Sequence, residues 1–354
     1  MGFAFKLSDY FAEDVLNLPV FQPFTLELAL FIVILEVLLG VALLIGMMRK
    51  ITVWLLLLMI VFFTFLTFYS AYFNKVTDCG CFGDAIPLTP WQSFGKDVIL
   101  LVLILIIFTH QQYLKPLFSK LSQWFVLGFS FAGCVVLAYH VLNHLPIKDF
   151  RPYAEGKSII EGRKSAEELG KEPTQYGTIY YLLNKQTGEE MKVSSEAYVA
   201  EEWWKKKEWE IQSDKTETVK LREGYEPPIH DFILTLNDEE ITEKVLAEPV
   251  VFLVVMYKME KTQAEAFERL NTFTQAVQRQ DLPVVGASAS LSQVVQEKKE
   301  AWNFNFPVAV ADETALKTII RANPGIVLLQ HGVVVKKWHY NDLPSFEQVK
   351  ANYL

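Results

Sequence analysis

Four apolar stretches in the first half of the chain limit what it can fold into. Residues 24–147 contain eleven charged side chains in 124 positions, whereas residues 148–354 contain 59 of the 74 in the whole chain. A helix of about 20 apolar residues crosses roughly 30 Å of hydrocarbon. Residues 24–47, 52–73 and 124–142 are near or above that length. We therefore expect a multi-domain membrane protein: an all-α transmembrane bundle followed by a soluble part.

The fourth stretch, third in chain order, is shorter than the others. Its uncharged run, residues 98–109, spans only about 18 Å as a helix. This helix is therefore expected to extend back toward Trp91 and to carry Lys96 and Asp97 below the membrane surface.

Lysine and arginine in the short connections predict the orientation, because these residues are enriched in cytoplasmic loops. The connections 48–51 and 110–123 hold four in eighteen residues, and the opposite side holds five in fifty-nine. We expect the loop around Cys79, and the whole chain after Leu142, to lie on the outer side of the membrane. Four crossings also place residues 1–23 outside as an extracytoplasmic lead-in. We therefore expect a fifth helix upstream of the present start.

Two of the three cysteines, Cys79 and Cys81, lie between the second and third stretches. A disulfide across one residue is possible but strained, and a strained bond exchanges more readily than a relaxed one. The pair is therefore predicted to be redox-active. A permanent loop disulfide, or reduced cysteines that shape a turn, are the structural alternatives. No second Cys or His pair is spaced to complete a zinc site, so no metal is expected.

The run Cys79-Gly80-Cys81-Phe82-Gly83 resembles the MauE (methylamine utilisation) branch of the DoxX-like membrane proteins. The start of the chain, residues 2–11, resembles the Bacteroidetes-type members. This resemblance implies a helical bundle over residues 24–147 that assists disulfide formation outside the cytoplasm. Some DoxX-like proteins are associated with quinol oxidation, so quinone is a possible cofactor.

Ionisable groups inside the bundle are expensive and therefore informative. Glu36 stands at the centre of the first stretch and is predicted either to handle protons or contact quinone, or to be a neutral group bonded to a neighbour such as Thr64. Lys96 and Asp97 are predicted to tune the nearby thiols or to anchor the helix at the interface. Cys134, midway along the last stretch, is expected to be a packing residue.

The soluble part divides by pattern into two regions. Residues 148–225 are read as a small β-rich insert that contains a hairpin within 176–193. Residues 226–354 alternate strands and helices, and with Asn323 and Pro324 before a strand they resemble the thioredoxin-like fold. The resemblance implies a cis proline at Pro324 beside the active site. Lys258, however, follows the first buried strand where the cysteines of that fold belong, and no cysteine occurs after Cys134.

Together with the resemblance, these features predict a thiol–disulfide oxidoreductase-like protein of a bacterial inner membrane, with its C-terminal domain in the periplasm. Its expected partners are the lipid bilayer and a client or redox partner protein. A groove at Pro324 would hold an extended partner segment. The alternative is a non-enzymatic membrane-anchored scaffold whose thioredoxin-like domain docks a partner. The formal charge of −8 and the lack of a basic patch argue against nucleic acid.

Overall fold

A computed structural model describes residues 2–12, 15–73, 86, 88–213, 215–262 and 264–354. The described membrane part consists of five helices: α1 (Gly2–Phe11), α2 (Thr25–Leu44), α3 (Arg49–Phe73), α4 (Pro90–Thr109) and α5 (Lys120–Asn143). Within the described residues, four helices (α2 to α5) are long and apolar enough to cross a membrane. The chain is thus a multi-pass membrane protein. We call the end of the bundle where α5 ends the domain side.

The helix α4 begins well before its uncharged run, as the sequence predicts. Thr89 accepts a hydrogen bond from the Gln92 backbone N–H, and the Gln92 side chain accepts one from Thr89, which forms a capping box. Of the residues in α4, the buried ones are Ser93 and Asp97, while large apolar side chains such as Ile99 and Val102 are exposed. The helix therefore turns its polar residues inward and its apolar residues toward lipid.

The short helix α1 packs along the domain-side part of the bundle. Its Ala4 and Leu7 are buried against Ala29 of α2, and the Phe3 ring lies 6.3 Å from the Phe63 ring of α3. The Tyr69 hydroxyl of α3 also donates a hydrogen bond to the Val15 carbonyl, 2.8 Å away. Residues 2–12 are therefore part of the packed bundle.

The soluble part starts with a small antiparallel sheet. Its strands are β1 (Gln175–Asn184), β2 (Glu190–Ser194), β3 (Trp209–Ile211) and β4 (Glu217–Arg222), with β1 paired to the other three. The predicted hairpin is confirmed as β1–β2. Two short helices lie in the soluble part before β3, α6 (Ile159–Arg163) and α7 (Ser195–Ala200). Trp203 is buried and packs edge-on against Trp209, so this aromatic segment serves local packing.

A seven-stranded sheet forms the rest of the soluble part. Its strands are β5 (Thr235–Leu236), β6 (Glu239–Glu240), β7 (Val251–Val255), β8 (Val284–Ser288), β9 (Val308–Val310), β10 (Gly325–Gln330) and β11 (Val333–His339). The order across the sheet is β11-β10-β7-β8-β9-β5-β6, with β7, β8 and β9 parallel and β10–β11 an antiparallel hairpin. The helices are α8 (Thr242–Ala247), α9 (Ala264–Gln278), α10 (Ser292–Trp302), α11 (Glu313–Ile319) and α12 (Phe346–Tyr353).

This connectivity is thioredoxin-like, as the sequence predicts. A parallel β7–α9–β8 unit is followed by the β10–β11 hairpin and the terminal α12, and the Asn323–Pro324 peptide bond is cis. Alternate residues of β7 point to opposite faces. Val251, Leu253 and Val255 face a core that includes α8 and α11, and Phe252 and Val254 face a second core with α9 and α12.

The segment that leaves the membrane is anchored to this sheet by buried charges. Tyr153 and Ile159 belong to the core on the α11 face. Arg151 and Lys337, both 3% exposed, share the carboxylate of Asp149. Burial raises the pKa of Asp149, but the hydrogen bonds of Arg151 and the charge of Lys337 outweigh it, so this pKa lies below its usual value. Burial and the Arg151 charge lower the pKa of Lys337 to about 8.

Two buried cations, Arg151 and Lys337, share the carboxylate of Asp149. Mutation of the shared anion should therefore lower the stability more than mutation of one cation. Asp149→Asn removes the carboxylate that both buried cations share, and we expect it to cost about 3–5 kcal/mol of stability. Lys337→Met removes one buried cation and should be far less harmful. Thermal unfolding of the full-length protein in detergent, followed by tryptophan fluorescence, measures both. Equal losses for the two variants would contradict this account.

One set of contacts between the bundle and the soluble part lies at the end of α5. His144 Nδ1 lies 2.6 Å from Asp342 Oδ1, and the Asn341 side chain donates to the Asn143 carbonyl at 2.9 Å. His339, 4% exposed, packs beside His144. Burial lowers the pKa of His339 to about 4; the Asp342 charge opposes this shift and the His144 charge adds to it.

Acidification should therefore destabilise this junction. The folded protein keeps His339 neutral, whereas the unfolded chain takes up a proton near the ordinary pKa of about 6.5. Stability is then lost as the pH falls from about 6.5 toward 4, on the order of 2 kcal/mol by pH 5. Unfolding midpoints at pH 7 and pH 5 should differ more for the wild type than for His339→Asn. An identical pH dependence in the two proteins would rule out this assignment.

Candidate functional site

The candidate site is a polar cluster between α3 and α4, inside the membrane-spanning region. Asp97 of α4 is 2% exposed. Its Oδ2 accepts a hydrogen bond from the Thr67 hydroxyl of α3 at 2.9 Å, and its Oδ1 lies 2.9 Å from Lys96 Nζ. Both oxygens of the buried carboxylate are therefore partnered, which is what a charge removed from water requires.

Thr67 occupies this position because of its place on α3. Its hydroxyl also lies 2.9 Å from the Phe63 carbonyl, one helical turn earlier. Threonine in a membrane helix satisfies itself on its own backbone when nothing else is near, and Thr64 does so by donating to the Ile60 carbonyl at 2.7 Å. The expected contact of Thr64 with Glu36 is thus replaced by a bond within α3.

A cavity of about 250 Å³ joins this cluster to α2. It is lined by Glu36, by Lys96 and Asp97, and by apolar side chains that include Phe3, Met59 and Phe63. Glu36 faces this cavity and is nonetheless exposed at the bundle surface. The cavity therefore opens on a lipid-facing side of the bundle, and Glu36, Lys96 and Asp97, which lie far apart along the sequence, meet in one place.

The predicted redox pair, Cys79 and Cys81, lies outside the described residues. The structure does fix both ends of the connection that carries it, since α3 ends at Phe73 and α4 begins at Pro90 on the domain side. Asp97 is seven residues into α4, about 10 Å from the start of that helix. The tuning role predicted for Lys96 and Asp97 therefore stays a prediction.

The remaining cysteine is separate from this site. Cys134 lies midway along α5, is half-buried and is free. It has no place in the lining of the Glu36 cavity. Its placement is compatible with the packing role expected for a small apolar residue.

The end of the thioredoxin-like sheet near Pro324 carries a polar network. The Asn323 side chain donates to the Lys258 carbonyl at 2.7 Å and accepts from the Lys258 N–H at 3.4 Å. Lys258 Nζ lies 3.1 Å from a Glu313 carboxylate oxygen. Pro324 itself is buried. The chain segment that holds thiols in related folds is thus fixed here by amide and ion-pair contacts.

The helix α1 covers the neighbouring surface. The centres of the Phe5 and Tyr257 rings are 6.5 Å apart. Lys317 Nζ and Arg321 Cζ lie 4.5 and 5.1 Å from the centre of the Phe5 ring. Tyr257 directly precedes Lys258, and Arg321 precedes Asn323. The predicted partner groove at Pro324 is therefore bordered by a segment of the membrane part, and its use by a partner stays a prediction.

Two residues of the cluster, Thr67 and Ser93, are not predicted from the sequence. Thr67 is the partner of Asp97, and Ser93 is buried one turn from Asp97 on the same helix face. The spacing of Ser93 and Asp97, four residues apart, is the signal that could have indicated a shared face. Nothing in the sequence distinguishes Thr67 from Thr64 as the partner, because the relative rotation of α3 and α4 is a tertiary property.

Part of the membrane bundle matches the model of a known family. The model of the family described as "Methylamine utilisation protein MauE" matches residues 2–110. The chain thus combines a MauE-like membrane bundle with a thioredoxin-like domain. No curated protein matches the sequence.

Solved structures resemble about a third of the chain. The bacterioferritin comigratory protein of Xanthomonas campestris is 16% identical and covers 35% of this chain and 92% of its own, with a TM-score of 0.28. A thioredoxin-like protein from Aeropyrum pernix is 13% identical over 34% of this chain and 86% of its own, with a TM-score of 0.28. The thioredoxin domain of a thiol-disulfide oxidoreductase from Bacteroides vulgatus is 12% identical over 34% and 91%, also with a TM-score of 0.28. The strand order, rather than these low scores, defines the fold.

The Thr67–Asp97 bond should be measurable. We expect Thr67→Val to destabilise the bundle by about 0.6–1.7 kcal/mol, as measured for hydrogen bonds between membrane helices. Thr64→Val is the matched control, since its hydroxyl bonds only within α3, and it should change stability less. Unfolding of the full-length protein in mixed micelles compares them. A larger loss for Thr64→Val would contradict the pairing.

Proposed function

We propose that the protein exchanges thiols and disulfides on the domain side of the membrane, in the periplasm of a bacterium whose inner membrane holds the bundle. Cys79 and Cys81 are the exchanging pair. The observation that carries the proposal is the placement of the Glu36 cavity: its Lys96–Asp97 end lies about 10 Å along α4 from the connection that holds both cysteines. The MauE match over residues 2–110 supports it.

The cavity suits the ring of a lipid-soluble quinone. Sites for whole small molecules are usually about 300–1,000 Å³. A cavity of about 250 Å³ that opens toward lipid therefore suits a flat head group whose tail stays in the bilayer. When bound, a quinone supplies an acceptor for two electrons and two protons. Met59 and Phe63 give apolar contacts for a ring, and Glu36 and Lys96 offer polar groups for its oxygens.

The charged residues of the cavity have distinct parts in this proposal. Lys96 presents a cation near the loop-bearing end of α4, where it favours the thiolate form of a nearby cysteine. Asp97 holds Lys96 in place and is itself held by Thr67. Glu36, opposite on α2, is the carboxyl that takes up or gives up a proton at the cavity.

The thioredoxin-like domain acts by binding in this proposal. It has no cysteine, so it cannot exchange thiols itself. It would bring a client or redox partner protein to the domain side of the membrane, close to the connection between α3 and α4. The contacts of Phe5 with Tyr257 and Lys317 hold the domain against the bundle for that purpose.

A second candidate is a membrane-anchored scaffold without redox activity. It is favoured by the network at Lys258, Asn323 and Glu313, which replaces the reactive end of a thioredoxin-like fold with fixed contacts. In that case Cys79 and Cys81 form a static bridge or stay reduced.

The redox state of the pair separates the two candidates. Membranes are treated with an oxidant, a mild reductant or a quinone and then with a thiol-alkylating reagent whose mass addition is counted. We expect the alkylation of Cys79 and Cys81 to rise with reductant and fall again with quinone. Cys134→Ser is the matched control, because it removes a thiol outside the pair and should leave this cycle unchanged. A pair that keeps one state under all conditions supports the scaffold.

Capture of a mixed disulfide tests the same proposal by another route. Removing one member of an exchanging pair leaves the other unable to resolve its bond to a partner. We expect Cys79→Ser or Cys81→Ser, but not Cys134→Ser, to accumulate disulfide-linked complexes with domain-side proteins on non-reducing gels. Mass spectrometry then identifies the partner. Absence of such adducts in both single variants would count against exchange.

A further inference from the structure

The seam between α3 and α4 is polar along its domain-side half. From the cavity outward it contains Asp97 and Thr67, then Ser93 and Ser70, all 3% exposed or less. The hydrogen bond between Thr67 and Asp97 fixes the antiparallel register, which puts Ser93 at the level of residues 70 and 71. Ser93 lies only three residues from the start of α4. The polar side chains therefore lie along one seam between the cavity and the end of the two helices.

Ser93 is the unusual member of this seam. It is 1% exposed, and its hydroxyl has no hydrogen-bond partner among the described residues. A serine in a membrane helix can bond to a carbonyl four residues earlier at little cost, and Ser130 of α5 does so at 2.9 Å to the Val126 carbonyl. An unsatisfied buried hydroxyl costs about 1–3 kcal/mol. A water molecule that enters and leaves could supply the missing hydrogen bond of this hydroxyl.

The spacing on α4 sets the distance that such a water molecule would bridge. Side chains four residues apart on one helix face have Cβ atoms about 5–6 Å apart. One water molecule can bridge a hydroxyl and a carboxylate at this separation. Ser93 and Asp97 are such a pair, and Thr67 already bonds to the same carboxylate.

We propose that this seam is a proton path between the domain-side end of α3 and α4 and the Glu36 cavity, and that Ser93 relays protons to Asp97 through water. This inference rests on the proposed function, because thiol oxidation releases protons and quinone reduction takes them up. When two thiols form one disulfide bond, two S–H bonds break, one S–S bond forms, and two electrons and two protons leave. The two electrons reduce a quinone to a quinol, which also takes up two protons. The seam carries protons between these two places without passing through lipid.

Access of a water-sized ion tests the path without any redox activity. Ser93→Cys and, as matched control, Ser130→Cys are made in a chain in which Cys79, Cys81 and Cys134 are serine. The full-length proteins in lipid nanodiscs are exposed to silver ions, and the remaining thiol is alkylated after denaturation. We expect silver to protect the Ser93→Cys thiol at least about tenfold faster than the Ser130→Cys thiol. Equal protection rates, or none at position 93, would overturn the path.

Kinetics provide the second measurement in the chain with its native cysteines. Ser93→Ala should slow quinone-dependent reoxidation of the reduced pair on the order of tenfold, because proton transfer is impeded. Ser93→Thr keeps a hydroxyl and should retain the rate, and Ser130→Ala should not change it. An unchanged rate in Ser93→Ala overturns the relay. If the wild-type pair does not cycle, the proposed function fails, and silver access alone decides the path. Unfolding midpoints of all variants identify any loss caused by misfolding.

Discussion

One buried carboxylate constrains how α3 and α4 pack against each other. A charge inside hydrocarbon must be partnered, and unpaired it costs several kilocalories per mole. Asp97 meets this requirement with Thr67 on one oxygen and Lys96 on the other. Because these partners come from α3 and from α4 itself, the bond sets the register and rotation of the two helices. In this register Lys96 and Asp97 line the same cavity as Glu36 of α2.

Buried charges in the soluble part also need partners, although this part lies outside the membrane. Asp149 lies between Arg151 and Lys337 and ties the segment leaving α5 to the strand β11. The polar network at Lys258 and Asn323 fixes the end of the sheet that faces α1. In both halves, charged and amide groups fix positions that apolar packing alone would leave free to slide.

Much of the architecture could be predicted from the sequence because it follows from period and composition. The long apolar runs predict α2, α3 and α5, and the need for length predicts that α4 starts before Lys96. The succession of strands and helices after residue 226 follows from alternating patterns, and its thioredoxin-like arrangement follows from the resemblance that includes Pro324. When a helix is apolar on all sides, however, its sequence does not show which side faces the neighbouring helix. For that reason Thr67 could not be chosen over Thr64, and the burial of Ser93 and the contact between Phe5 and Tyr257 could not be foreseen.

The helix α1 places two neighbouring aromatic rings in two different settings. Phe3 and Phe5 are two residues apart, about 200° around the helix, so one lines the Glu36 cavity while the other meets Tyr257 and Lys317. A single turn of helix thus contacts both the cavity and the thioredoxin-like domain. A molecule in the cavity that displaced α1 through Phe3 would also alter the contacts of Phe5 with that domain. Thermodynamic reciprocity then requires a partner on that domain to alter the cavity's affinity by the same factor.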